Sequence, residues 1–377
     1  MFRERFLKEA LKNRQKKGIL RSLSLNHSAT KVDFASNDYL GISRRGPFCQ
    51  KTNFSIQCTK GSTGSRLLTG NSSAHEKLEE EIAKFHKVES ALVCNSGYAA
   101  NVGLISCIAS PKDRILYDIQ VHSSIIDGIK LSRAKAFPFR HNDVSHLKNR
   151  LNKKYPGNTF VCTETLFSMD GSLAPIKEIT EACLENEALL IVDEAHSGGV
   201  YGKYGEGIVS SLGLQESVFA TIYTYGKAFG IFGASIAGSS LLKEYLVNFC
   251  RPLVYSTSLP PLVIEEIRHA YRCIQKASED RSYLNSLITY FQELTEKYQL
   301  QRAFPSQTCI QPLLFPGAHN AKRASSLCQK AGFDVRPILS PTVQKNHEIL
   351  RVCLHSFNTL QEVTLLLELL NSVNKIT

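Results

Sequence analysis

Five apolar residues, Ala188-Leu189-Leu190-Ile191-Val192, run without alternation into Asp193-Glu194-Ala195-His196-Ser197-Gly198-Gly199. A strand with no polar face is buried on both faces, as in a parallel sheet covered by helices. The stretch therefore makes the chain α/β. It also places chemistry, because ligands of open α/β sheets bind beyond the carboxyl ends of the strands. Asp193 and His196 stand at such an end.

A second run, Ala220-Thr221-Ile222-Tyr223-Thr224, reads as another short buried strand, and Tyr225-Gly226-Lys227-Ala228-Phe229-Gly230 as the glycine loop after it. The loop presents the Lys227 amine at a strand tip, and Gly226 and Gly230 would let the backbone approach a ligand with no Cβ in the way. An amine drawn out of water becomes a nucleophile toward carbonyls; the plain alternative is a surface lysine after a strand. Strand-tip Asp193, nearby His196 and strand-tip Lys227 together suit pyridoxal 5'-phosphate (PLP). The lysine bonds the cofactor, and the aspartate keeps the pyridine nitrogen protonated so that the ring can draw in electrons.

Other stretches fit around these two. Residues from Phe2 to about Leu20 read as an amphipathic helix with Phe2, Phe6, Leu7, Ala10 and Leu11 on one side. Val32-Asp33-Phe34-Ala35 reads as a strand leading into Ser36-Asn37-Asp38-Tyr39-Leu40-Gly41. Gly61-Ser62-Thr63-Gly64-Ser65-Arg66-Leu67-Leu68-Thr69-Gly70-Asn71 is a glycine- and hydroxyl-rich loop before a helix from about Ser73. Ala91-Leu92-Val93-Cys94 is a strand, and Asn95-Ser96-Gly97-Tyr98 opens a helix whose N-terminus is either an anion site or a simple turn. Beyond about Leu300, strand-like pieces at Thr308–Phe315 and Ile349–Leu354 and a leucine-rich helix from about Thr359 suggest a smaller α+β domain. The expected division is a terminal segment over 1–40, a large domain over 41–265 and a small one over 266–377, a plan that suits 377 residues.

Composition excludes rather than assigns. No apolar run approaches the roughly 20 residues of a membrane span, and the charged start of the chain does not read as a signal peptide. Eleven cysteines without a CxxC pair point to reduced thiols in a cytoplasm, and no metal spacing is present. The net charge of +11 is dispersed and lacks a nucleic-acid recognition motif; it suits attraction of anionic substrates.

Asp193-Glu194-Ala195-His196 followed by Thr224-Tyr225-Gly226-Lys227-Ala228-Phe229-Gly230 resembles the α-oxoamine synthases. These PLP enzymes have the aspartate-aminotransferase fold, fold type I, and condense an amino acid with an acyl thioester with loss of CO2. The similarity runs from about Val32 to about Asn358, and Gly-Ser-Arg-Leu-Leu-Thr-Gly-Asn at 64–71 looks most like the branch that makes a biotin precursor from alanine and a pimeloyl thioester. The resemblance implies a mainly parallel sheet flanked by helices and a homodimer with shared active sites. It implies that Lys227 carries PLP and then moves the Cα proton, that Asp193 faces the ring nitrogen, and that His122 lies on the ring face. His196 and Ser168 would set the charge of the ring oxygen. Gly97, Tyr98 and Thr224 would hold the phosphate, with Thr257 reaching in from the neighbouring subunit. Asn37 and Thr342 would line the substrate side, and Arg351 would bind the amino acid carboxylate; its alternative is an edge-strand surface residue. The branch often carries an arginine where this chain has Leu339, so Arg336 and Arg21 are the candidates for the distal carboxylate of the acyl chain. The acyl donor would be a coenzyme A thioester or an acyl carrier protein. The alternatives are another α-oxoamine synthase, joining glycine or serine to a different acyl thioester, an aminotransferase or lyase of the same fold, or a protein that kept the fold without the chemistry.

Overall fold

The computed structural model describes residues 4–21, 23, 30–45 and 61–374. In chain order the strands are β1 (Val32–Asp33), β2 (Ser90–Cys94), β3 (Arg114–Asp118), β4 (Lys135–Phe139), β5 (Thr159–Glu164), β6 (Leu189–Asp193), β7 (Ala220–Thr224), β8 (Ala234–Gly238), β9 (Ile310–Leu314), β10 (Phe333–Asp334), β11 (Arg336–Ile338) and β12 (Ile349–Cys353). Four helices are labelled: α1 (Arg5–Lys16), α2 (Ser73–His86), α3 (Gly97–Ile108) and α4 (Ser123–Ser132).

Seven strands form one sheet in the order β2-β8-β7-β6-β5-β3-β4. The contacts β7-β6, β6-β5, β5-β3 and β3-β4 are parallel, whereas β8 is antiparallel to both β7 and β2. Because β8 alone reverses, β2 points the same way as β7, and the C-terminal ends of β2, β3, β5, β6 and β7 share one edge. The burial of β6 accounts for its unbroken apolar sequence. Ile191 packs on one face with Ile115, Phe160 and Ile222 against α3 and α4. Leu190 and Val192 pack on the other with Leu116 and Val161 against Leu147, Ile176 and Ile179. Each fully buried side chain of this size stabilises by about 1.5–3 kcal/mol.

The chain divides into two compact units, Asn37–Ser168 with Leu173–Ser282, and Met1–Ser36 with Met169–Ser172 and Tyr283–Thr377. The first contains the seven-stranded sheet. The second contains a three-stranded antiparallel sheet, β11-β12-β9, and a parallel pair, β1-β10. Its α1 is shorter than the sequence pattern suggests: it stops at Lys16, and Gly18 follows with φ +67°. Phe6, Leu7 and Leu11 of its apolar side stay exposed, and Phe2 lies outside the described residues. Nine cysteines are among the described residues and all are free thiols. No helix among the described residues is long and apolar enough to cross a membrane.

Candidate active site

A cavity of about 250 Å³ opens at the strand-tip edge of the large sheet. Gly97 and Tyr98 reach it from the start of α3, and His122 from just before α4. Asp193 and His196 follow β6, Thr224 and Lys227 follow β7, and Asn37 completes the lining.

Asp193 is 4% exposed and its carboxylate is held from two sides. Oδ1 accepts from the Ala195 N–H at 2.8 Å and Oδ2 from Asn101 Nδ2 at 2.7 Å. On the neighbouring strand, Glu164 stands in register with Asp193 and lines the same cavity. Its Oε1 accepts from the His122 N–H at 2.6 Å. Burial, with the Asp193 charge beside it, pushes the Glu164 carboxyl well above the usual carboxylate range. His122 caps α4: its Nδ1 accepts from the Ser124 N–H at 3.3 Å and meets Ser124 Oγ at 2.8 Å.

The turn after Asp193 is shaped by Glu194, which is fully buried. It accepts from the N–H groups of Val209 at 2.5 Å and Ile208 at 3.0 Å and from Ser197 Oγ at 3.0 Å. Burial nevertheless pushes it up to about 7. Gly207, with φ +88°, is required beside it, since a Cβ there would lie 1.7 Å from Glu194 Oε2. His196 Nδ1 shares a 2.7 Å hydrogen bond with the buried Tyr39 hydroxyl, which donates to Asn37 Oδ1 at 3.1 Å.

The two loop glycines differ. Gly226 lines the cavity with open space where a Cβ would stand, whereas Gly230, with φ +66°, packs on the main chain of Ser43. The close approach belongs to Gly97, where a Cβ would come within 2.2 Å of Thr224 Cγ2. Ser168 is half-buried and Thr257 exposed, and neither lines the cavity. The Thr257 carbonyl accepts from Asn95 Nδ2 at 2.9 Å.

The arginines lie in the other unit. Arg351 is buried in the central strand of its three-stranded sheet, with Nη1 donating to Cys353 Sγ at 2.9 Å, so it is not an edge residue. Arg336 stands opposite it in register, and its guanidinium pairs with Asp334, Nε to Oδ1 at 2.6 Å and Nη2 to Oδ2 at 3.0 Å. Arg21 and Thr342 line a separate cavity of about 260 Å³ with Arg14, Ile19, Leu339 and Pro341.

Sequence reasoning missed Asn101, Ser124 and Glu164 in the first cavity. Glu164 carried a signal, being a strand-tip acid like Asp193. Asn101 and Ser124 sit inside helices and read there as ordinary polar residues.

These residues fit PLP. The cradle at the N-terminus of α3 exists because Gly97 has no side chain, and a helix N-terminus attracts a phosphate. A carboxylate and an amine face the same space. Fold and site thus define a fold type I PLP enzyme. The model of the aminotransferase class I and II family matches residues 29–368. The 8-amino-7-oxononanoate synthase of Emericella nidulans is 36% identical over 96% of this chain and 93% of its own length. A putative 8-amino-7-oxononanoate synthase of Haemophilus influenzae is 38% identical over 88% of each chain. Among solved structures, the 8-amino-7-oxononanoate synthase of Francisella tularensis superposes with a TM-score of 0.77 at 29% identity, covering 92% of this chain and 99% of that one. Serine palmitoyltransferase from S. paucimobilis reaches a TM-score of 0.89 over 99% of this chain and 98% of that one; at 23% identity that likeness shows the fold alone. The chain belongs to the aminotransferase class I and II family and, within it, to the α-oxoamine synthases, PLP-dependent acyltransferases. Its cofactor is PLP.

Proposed function

We propose that the protein condenses L-alanine with a pimeloyl thioester, releasing CO2 and the free thiol and forming 8-amino-7-oxononanoate. The observation that carries this reading is the one cavity holding the Lys227 amine, the Asp193 carboxylate, His122 and the start of α3. The choice of substrates rests on the 36% and 38% identity to proteins named for that product.

PLP supplies an electron sink next to the amino acid's Cα. Lys227 would hold the cofactor, and its amine would move the proton at the amino acid's Cα. Asp193, fixed by Asn101 and the Ala195 N–H, would hold a proton at the ring nitrogen. His122 would cover the ring face and His196 would serve the ring oxygen, with Ser168, which stands outside the cavity lining, as its expected partner there. Gly97, Tyr98 and Thr224 would receive the phosphate, and Thr257 would be supplied by a second copy of the chain. Arg351 offers its planar fork to the amino acid carboxylate, and Asn37 lines the substrate side. The distal carboxylate falls to Arg21, beside Thr342, because Arg336 is neutralised by Asp334. A cation is needed there, since an unpaired carboxylate in an apolar slot costs several kcal/mol. Coenzyme A or an acyl carrier protein would bring the acyl group, and the +11 charge favours either acidic carrier. A cytoplasmic setting suits the free thiols.

The test is product analysis with alanine and pimeloyl-coenzyme A. The amino ketone, CO2 and free thiol are expected in equal amounts. A keto acid formed without thioester consumption would make the protein an aminotransferase instead. Borohydride followed by peptide mapping should fix the cofactor on Lys227, and labelling of another lysine would overturn its role.

A further inference from the structure

We propose that Asn101 is a positioning residue that ties together two groups of the cofactor site, Asp193 and His122. The inference rests on the reading of the Lys227 cavity as the PLP site and adds to it a residue that acts through others.

Asn101 lies in α3 and is 1% exposed. Its amide nitrogen has two protons, and both are used. One goes to Asp193 Oδ2 at 2.7 Å and the other to Ser124 Oγ at 3.1 Å. The reverse amide orientation would turn Oδ1 toward the carboxylate, so the charge of Asp193 settles it. The molecule keeps this orientation although Asn101 Oδ1 is then buried with no hydrogen-bond partner among the described residues.

The direction of the next bond follows. Ser124 Oγ accepts from Asn101, so its own proton is free to point at His122 Nδ1, 2.8 Å away. The Ser124 N–H also points at that nitrogen, at 3.3 Å. With two donors aimed at Nδ1, that atom is a bare acceptor and the ring proton sits on Nε2. Three bonds with defined directions therefore run from the Asp193 carboxylate through Asn101 and Ser124 to the His122 imidazole. They hold the carboxylate as an acceptor and the imidazole neutral, with one tautomer and one orientation. A strut that merely joined α3 to α4 would need neither end of this chain.

The experiment uses the full-length chain freed of cofactor, with ring-labelled histidine, in the wild type and in Asn101→Ala and Ser124→Ala. The His122 signals are assigned by their loss in His122→Asn. Nitrogen shifts should show the Nε2-protonated tautomer alone in the wild type and a mixture in both variants. PLP titration followed by absorbance should show affinity lowered about tenfold or more in Asn101→Ala, as expected for losing a hydrogen bond to a charged group, and lowered less in Ser124→Ala. Unchanged affinity and an unchanged tautomer in Asn101→Ala overturn the proposal. If that variant does not fold, Ser124→Ala decides, and a single unaltered tautomer there overturns it equally. A wild type that takes up no PLP overturns the cofactor reading instead; the tautomer measurement, made without cofactor, still tests the hydrogen-bond chain.

Discussion

The imidazole of His86 has no exposure and stacks on Tyr223 with ring centroids 3.6 Å apart. Its Nε2 meets the Tyr271 hydroxyl at 3.0 Å and its Nδ1 the Glu206 carbonyl at 3.1 Å. Burial pushes its pKa from 6.5 down to about 3. The folded state therefore keeps the ring neutral while the unfolded state takes up a proton once the pH falls below about 6.5. Stability from this residue is complete above that value and is lost progressively toward pH 3. By linkage the loss reaches about 2 kcal/mol at pH 5. Denaturant midpoints at pH 7 and pH 5 check this: His86→Phe should show a smaller drop than the wild type, and an equal drop would refute it. A second residue-scale prediction separates the arginines. Arg21→Ala should raise KM for a pimeloyl thioester about tenfold or more and leave an uncharged acyl thioester of similar length nearly unaffected. Arg336→Ala should leave KM for both unchanged, because that guanidinium already serves Asp334. A raised pimeloyl KM in Arg336→Ala alone would reverse the assignment.

Among the elements, α3 and β7 meet where the phosphate is expected, and their contact yields a test. A Cβ at Gly97 would stand 2.2 Å from Thr224 Cγ2, so Gly97→Ala must displace that methyl group or the helix start. PLP affinity should fall about tenfold or more, a loss on the scale of 1–3 kcal/mol for overpacking. Gly97→Ala with Thr224→Ser keeps the hydroxyl, removes the methyl group and should recover most of the loss. Additive losses in the pair would show that the clash is not the cause. The legibility of the sequence divides along the same elements. Strands β6 and β7 could be read because burial on two faces leaves an unbroken apolar run, and their tips announced Asp193 and Lys227. Strands β4 and β8 could not: Lys-Ala-Phe-Pro-Phe is interrupted by a proline, Ala-Ser-Ile-Ala-Gly carries little apolar bulk, and their pairing is set by neighbours distant in sequence. Asn101 stayed hidden because its partners are Ser124, 23 residues away, and Asp193, 92 residues away. Gly230 misled because a positive φ and a backbone contact ask for the same residue as a ligand approach does.

For the whole molecule, the assembly is the open proposition, and Thr257 is where it can be tested. The side of the sheet unit that carries Thr257 is ordered by main-chain contacts: the Ser258 N–H donates to the Gly64 carbonyl at 2.9 Å and Ser62 Oγ to the Leu259 carbonyl at 2.5 Å. These bonds join the glycine-rich loop to the Thr257 segment, and large apolar side chains stand out from both, Leu68 at 81% and Tyr255 at 73% exposure. Exposed apolar side chains on these two segments suit the proposed contact with a second copy of the chain. Thr257 itself does not line the cavity of its own chain, which suits a residue that serves a second copy. If it does, Lys227→Ala and Thr257→Glu damage different components of each shared site. The glutamate would set a negative charge against the phosphate. Each variant alone should be inactive and bind or retain PLP poorly or unproductively. Unfolded and refolded together, half of the dimers would pair one variant with the other, and each mixed dimer would hold one site with an intact lysine and an intact threonine. Activity should then return to about a quarter of the wild-type value, as two-fold symmetry with random exchange dictates. Sedimentation of the wild type should show a dimer. No return of activity on mixing, with mixed dimers confirmed by mass, would place each site within a single chain.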